Sequence, residues 1–334
     1  MMHYLCIMKK FKASLLILAC SCIAALQAYS GEPITLADPT IFLDNGTYYL
    51  YGTGANSNEG FQVYTSTDLQ HWNGPTGATD GYVLKKGDSF GTWGFWAPQV
   101  FKHDGRYYMA YTSNEQISIA KSDSPMGPFR QTEIKHIPAK MREIDPFVFF
   151  DADGKTYLYH VRLQKGNRLF VTTLSDDLQT PDESAATACI AAEPGWEDTQ
   201  RVKWTVTEGP TVMKIGDFYY MFYSANDFRN PDYAVGYAVA KSPFGPWKKY
   251  KSNPILNRKT IGWNGTGHGD VFTDKNGQLW YVFHVHNSNT KVSPRLTAII
   301  GLSQKEGKNG EVEFRVNPAS FRILEKSEPS SNSK

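Results

Sequence analysis

Three carboxylates and a histidine recur at one place in a repeated pattern, and these residue types at a common spacing are the components of acid–base chemistry. Counting eight or nine positions back from the turn glycines Gly46, Gly105, Gly154, Gly216 and Gly277 reaches Asp38, Ala97, Asp145, Glu208 and His268. Ionised carboxylates gathered at one site repel each other, so such a gathering calls for a metal or a protonated member. A carboxyl that keeps its proton can act as a general acid beside one that has lost it and acts as a base. Any single Asp-Pro or Glu-Gly-Pro is an ordinary turn starter. Recurrence at equivalent repeat positions is what points to a site.

The elements that must position these residues follow from the repeat itself. Its copies read ADPTIFLDNGTYYLYGT from Ala37, APQVFKHDGRYYMAYTS from Ala97, IDPFVFFDADGKTYLYHV from Ile144, TEGPTVMKIGDFYYMFYSA from Thr207 and GHGDVFTDKNGQLWYVFHV from Gly267, the last without the proline. In each, two runs rich in Val, Ile, Phe and Tyr flank an acidic or Gly-containing turn, and alternation such as GTYYLY buries one face of the hairpin. Further short strands are expected at Gly60–Tyr64, Ile117–Ala120, Leu169–Thr172 and Val235–Ala238, and Ser-x-Asp-Leu turns at Ser66 and Ser175 end two of them. The turn glycines lie 49 to 62 residues apart. Four strands per repeat at that period make a propeller blade.

The sequence therefore predicts an all-β, five-bladed β-propeller as a single domain over residues 31–325, with few helices. Radial closure is favoured over an open sandwich because it leaves only short, protected edges. In a propeller the first strand of each blade lines the axis, so the carboxylates and His268 should converge at one end of it. Residues 326–334, rich in serine, are expected to form a frayed polar tail.

Residues 1–30 read as a secretory signal: Lys9, Lys10 and Lys12, an apolar run from Leu15 to Leu26, then small residues around Ala28. About a dozen apolar residues fall short of the roughly 20 that a spanning helix needs. A second reading takes Ile17-Leu18-Ala19-Cys20 as a lipoprotein leader. Of the four cysteines only Cys189 lies outside this segment, so no disulfide framework is available. Without the leader's lysines the net charge of +2 becomes about −1, which excludes a basic nucleic-acid surface. The expected protein is secreted or periplasmic, or lipid-anchored to the cell surface, with no membrane span and no nucleic-acid partner, and monomeric.

The tetrad Ala37-Asp38-Pro39, Trp96-Ala97-Pro98, Ile144-Asp145-Pro146 and Thr207-Glu208-Gly209-Pro210, in that order and at blade spacing, resembles glycoside hydrolase family 43 from about residue 34 to about 325. The resemblance implies an inverting glycosidase in which Asp38 is the general base, Glu208 the general acid and Asp145 the modulator of Glu208. Inversion needs two carboxyls roughly 6.5–9.5 Å apart, with water between base and sugar. The resemblance also places His268 near the axis, where it binds water or a cation such as calcium, and Arg295 on the sugar; no cofactor is required. Arg162 is a rival for the Arg295 role, and Asp270 is either a channel or a turn residue. Trp96 and Trp93 are candidate sugar-stacking faces, whereas Trp204 and Trp263 have no assigned place.

The expected substrate is a plant-type polysaccharide or oligosaccharide side chain, an α-L-arabinofuranoside or β-D-xyloside, attacked from its end. That reading rests on insertions near residues 80–95 and 183–205 that could wall off the channel. Two alternatives stand beside it, a β-D-galactofuranosidase on the same scaffold and a carbohydrate-binding propeller without catalysis. A retaining relative acting on fructosides would place its nucleophile in Asn-Asp-Pro, whereas Ala37 precedes Asp38 here.

Overall fold

Five antiparallel sheets stand around an axis, each starting from one copy of the repeat, so the predicted propeller is present. The computed structural model describes residues 31–327. The expected leader, and the tail from residue 328, lie outside the described residues. The innermost strands are Ala37–Asp44, Trp96–His103, Glu143–Phe150, Thr207–Ile215 and Gly267–Thr273. Each turns back through a hairpin into Thr47–Thr53, Arg106–Ser113, Thr156–Leu163, Phe218–Ala225 or Leu279–Val285. Asn45-Gly46 and Asp104-Gly105 take positive φ at both loop positions, the mirror-image turn whose twist matches that of the flanking strands. The one short α-helix among the described residues, Arg258–Ile261, is closed by Asn257 at its N-terminus.

Four blades have four strands, but the second has three. Its outer position holds only a bridge between Lys121 and Arg130. Pro125 and Pro128 interrupt that segment and carry no N–H for a ladder. The two Ser-x-Asp-Leu turns form as expected, with Ser66 Oγ accepting from Leu69 N at 2.9 Å and Asp177 Oδ1 from Gln179 N at 2.8 Å. Leu69 and Leu178 turn into the core at positive φ.

Aromatic side chains fill the space between blades. Phe222, Tyr237 and Phe314 meet at ring separations of 5.0–5.7 Å between the fourth and fifth blades. Phe61 and Phe95 cross edge to face at 5.9 Å between the first and second. Burying each such ring contributes about 1.5–3 kcal/mol. Two Ser-Pro-x-Gly-Pro segments fasten successive blades: Tyr51 Oη donates to Pro125 O at 2.6 Å and Tyr159 Oη to Pro243 O at 2.8 Å.

The ring closes by weaving its ends together. Ile34 N donates to Leu324 O at 2.8 Å and Thr297 N to Ile34 O at 2.9 Å. Beyond Leu324, the start of the expected frayed tail is tied down, since Lys326 N donates to Glu32 O and Ser327 N to Trp72 O, both at 2.8 Å. Closure gives these backbone groups partners that a free tail would find only in water.

Candidate active site

Every inner strand carries a register shift at its start, between Ala37 and Thr40, Trp96 and Gln99, Ile144 and Phe147, Glu208 and Thr211, and Gly267 and Asp270. The kink sits at Asp38, Ala97, Asp145, Gly209 and His268, all with φ between 43° and 60°. L-residues seldom adopt this left-handed conformation, and the recurrent bulge re-aims the side chain at each of these strand starts.

This register corrects one expectation. The residue equivalent to Asp38 in the fourth blade is Gly209, and Glu208 lies one position earlier, level with Ala37. The count from the turn glycine went astray because Gly216 is the first loop residue of its hairpin, whereas Gly46 is the second of its own.

The kinked residues are held by the preceding blade. Ala97 N donates to Thr53 Oγ1 at 3.0 Å, Asp145 N to Thr112 Oγ1 at 2.9 Å, His268 N to Ser224 Oγ at 2.7 Å, and Asp38 N lies 3.2 Å from His284 Nδ1. These acceptors occupy equivalent places on the second strands. Val161 holds that place in the third blade and offers no acceptor. Gly209 N donates instead to the Asp145 carboxylate, Oδ2 at 3.2 Å.

Asp38 and Glu208 have opposite surroundings. Asp38 Oδ1 accepts from Arg295 Nη1 at 3.0 Å and lies 3.3 Å from His284 Nδ1 and 3.5 Å from His268 Nδ1, while Oδ2 accepts from Thr53 Oγ1 at 2.7 Å. Burial alone would raise its proton affinity, but the Arg295 guanidinium, with His268 and His284, holds it well below the ordinary carboxylate value. Glu208 has no cation among its hydrogen-bond partners. Oε1 accepts from Tyr233 Oη at 2.8 Å and Oε2 from Asn167 Nδ2 at 2.9 Å. Burial first, and then the Asp38 charge, push Glu208 up to about 7.

Asp145 is raised well above its ordinary value by burial, then by the charges of Glu208 and Asp38. Repulsion between two carboxylates is mutual, so each opposes the other's ionisation. The resemblance cast Asp145 as the modulator of Glu208, yet burial and Asp38 are the larger causes there. Burial lowers both histidines, His284 to about 3 with help from Arg295, which leaves its imidazole neutral.

Above these groups opens a cavity of about 450 Å³, lined by Trp96, Trp204, Phe228, Arg229, Asn167 and Asp227 as well as the three carboxylates, His268 and Arg295. The Arg295 guanidinium also lies over the Phe228 ring, 4.4 Å from its centroid. Arg162, the rival arginine, is committed within the third blade to Glu143 at 2.7 Å and Glu183 at 2.9 Å. Trp93, 42% exposed, does not line the cavity; it packs edge-on against Trp96, with centroids 5.6 Å apart. Trp263 is held elsewhere, its Nε1 donating to His286 O at 2.7 Å.

Below the cavity His268 also borders a narrow channel of about 30 Å³, room for a water. Asp270 faces it, accepting from Thr40 Oγ1 at 2.6 Å and Thr211 Oγ1 at 3.1 Å, and burial raises it to about 6. It is a channel residue and not a turn residue. Among the described residues no group of three or more His, Cys, Asp or Glu side chains is arranged to hold a metal ion. The Asp38 oxygens have Arg295 and Thr53 as donors.

Sequence reasoning missed Thr53, His284, Asn167, Phe228 and Tyr233, and named Trp204 without placing it. Comparing second strands across the repeats would have found Thr53 and His284. Nothing in the repeat marks the others, which enter from segments outside it.

A propeller that brings an ionised carboxylate and a proton-retaining one to a single aromatic-walled cavity has the parts that glycosidic-bond hydrolysis uses. The family model of glycosyl hydrolases family 43 matches residues 32–304, and the chain belongs to that family, whose activity is O-glycosyl hydrolysis. It is 25% identical over 300 residues to an extracellular exo-α-(1→5)-L-arabinofuranosidase of Cellvibrio japonicus, covering 81% of this chain and 84% of that one. A xylosidase/arabinosidase of Humicola insolens is 29% identical over 305 residues, with 75% and 88% covered. Among solved structures, one described as an endo-1,4-beta-xylanase of Bacteroides thetaiotaomicron matches with a TM-score of 0.79 at 37% identity, over 90% of this chain and 99% of that one. No helix among the described residues is long and apolar enough to cross a membrane.

Proposed function

We propose that this glycosidase removes α-L-arabinofuranosyl or β-D-xylosyl units from plant-type polysaccharide or oligosaccharide side chains, with inversion at the anomeric carbon. The observation that carries the roles is the opposed setting of the two carboxyls: Asp38 bonded to Arg295, Glu208 buried with a phenol and an amide. Asp38 takes a proton from water as the oxygen attacks the anomeric carbon. Glu208 gives its proton to the departing glycosidic oxygen as the bond to that carbon breaks. Asp38 then releases its proton to solvent and Glu208 takes one up, which restores both groups. Each proton transfer is worth about 100- to 10,000-fold.

Asp145, by mutual repulsion, adds to burial and Asp38 in opposing the ionisation of Glu208, and its carboxylate accepts from the Gly209 backbone. Arg295 holds the base anionic, and its remaining N–H groups suit vicinal hydroxyls. The names of the relatives support pentose glycosides. Attack from the chain end is supported by Trp204, which the insertion at 183–205 brings to one wall of the cavity. The basic-then-apolar leader, together with a relative named as extracellular, supports export.

The test is hydrolysis of aryl α-L-arabinofuranoside, β-D-xyloside and β-D-galactofuranoside, with product anomers followed by NMR, and Glu208→Gln and Asp38→Asn alongside. Cleavage with inversion and at least a roughly hundredfold loss in both variants is expected. A product of retained configuration, or an active Glu208→Gln, overturns the assignment.

A further inference from the structure

Glu208 is gripped by two partners of different kinds. Tyr233 presents a hydroxyl, which can donate or accept as the carboxyl changes state. Asn167 presents an amide that could in principle face either way. Its orientation is decided by a third residue: Trp204 Nε1 lies 2.9 Å from Asn167 Oδ1. An indole N–H can only donate. The amide oxygen must therefore face Trp204, and the NH₂ group must face Glu208 Oε2 at 2.9 Å.

We propose that Trp204, acting through Asn167, is a positioning residue for the catalytic acid: its indole N–H locks the amide as a one-way donor to Glu208. The proposal deepens the functional reading above and rests on Glu208 being the acid. Trp204 precedes the inner strand of the fourth blade, and Asn167 opens the third strand of the third blade, so the chain Trp204–Asn167–Glu208 crosses between blades. Trp204 is 47% exposed and lines the cavity, so the residue that steers the acid is also a wall the sugar meets.

The lock matters for proton delivery. An amide donor stabilises the carboxylate that remains after transfer and opposes the upward push of burial. With the indole N–H gone the amide can turn over and set Oδ1 against Glu208 Oε2. That arrangement favours a protonated carboxyl whose hydrogen is bonded to Asn167 and withheld from the glycosidic oxygen. The other charged or titratable groups around Glu208 are Asp38 and Asp145 from the inner strands, Asp227, Arg229 and Tyr233 from the segment before the fourth blade's third strand, and His268 and Arg295 from the fifth blade. None of them touches Asn167 Oδ1, so Trp204→Phe leaves them in place while keeping an aromatic face.

The experiment pairs pH–rate profiles with a resonance that reads the relay directly. In Trp204→Phe the alkaline limb of kcat is expected to rise by about one pH unit, and kcat to fall more than KM changes. Asn167→Leu should do the same, and the double variant should be no worse than Asn167→Leu alone. In protein labelled with ¹⁵N-tryptophan, the Trp204 indole resonance should titrate with Glu208 and stop titrating in Glu208→Gln. A Trp204→Phe variant altered only in KM, or an indole titration unchanged in Glu208→Gln, overturns the relay. Should Glu208→Gln instead remain active while abolishing the indole titration, the relay stands and the acid assignment falls.

Discussion

Gly209 donates its backbone N–H to Asp145 Oδ2 at 3.2 Å, a bond that fills a gap in an otherwise repeated arrangement. The other four kinked residues have Thr53, Thr112, Ser224 or His284 beside their backbone N–H, and only the third blade, with Val161, lacks such a group. An unpaired buried N–H would cost roughly 1–3 kcal/mol. The vacancy thus draws the Asp145 carboxylate toward the peptide that follows Glu208.

Val161→Thr should restore the missing acceptor in nearly the same volume. Asp145 then loses a donor that favours its ionised form, keeps its proton more readily, and opposes the ionisation of Glu208 less. The alkaline limb of kcat/KM is expected to move down, by up to about one unit. A profile superimposable on the wild type would show that Gly209 N does not govern Asp145.

Arg295→Met removes the largest of the influences that oppose the burial of Asp38, so its proton affinity climbs. Because the base must be ionised, the acidic limb should shift upward, with a loss of at least about a hundredfold in kcat/KM at pH 5 and a smaller loss at pH 7. The same ion pair stabilises the fold. The depressed value in the folded state means that this stability is present above the unfolded carboxylate value and is lost as pH falls through the folded one. Thermal melts at pH 7 should accordingly separate wild type from variant, and the gap should narrow as pH is lowered below the ordinary carboxylate value.

Glu208 runs the other way. Its folded value of about 7 stands above the ordinary 4.5, so the unfolded chain ionises first and stability declines as pH rises from about 4.5 to about 7. The accumulated cost is about 3 kcal/mol above that window. Glu208→Gln should therefore melt several degrees higher than wild type at pH 8 and show little gain at pH 4. Equal melting temperatures at pH 8 would mean that the carboxyl is not destabilised by burial.

Two glycines separate backbone strain from steric conflict. Gly209 and Gly216 have φ of 60° and 56°, but a Cβ at Gly209 would stand 2.8 Å from the His268 ring, whereas at Gly216 it would meet nothing within 4 Å. Gly216→Ala should cost about 1 kcal/mol in urea unfolding and leave kcat unchanged. Gly209→Ala should cost more, about 2–4 kcal/mol, and displace His268 with a loss of activity. Similar costs in the two variants would remove the clash from the account.

The repeats were legible because hairpins leave local marks: alternating aromatic strands, a turn glycine, a proline after the kink. From those marks follow the blade number, the order of the inner strands, and Asp38, Asp145 and Glu208 at one end of the axis. The one-residue offset of Glu208 was hidden because the glycine occupies a different loop position in the fourth hairpin, and strand register is set by pairing across the turn.

What only the tertiary structure decided is the proton affinity of each carboxyl and the shape around them. Arg295 and His284 reach Asp38 across 257 and 246 residues of chain. Asn167 and Tyr233 reach Glu208, and Trp204 reaches Asn167, from loops and strand ends with no repeat counterpart. A repeat records the fold within one blade, while charge, burial and hydrogen bonding at the axis depend on which blades become neighbours once the ring has closed.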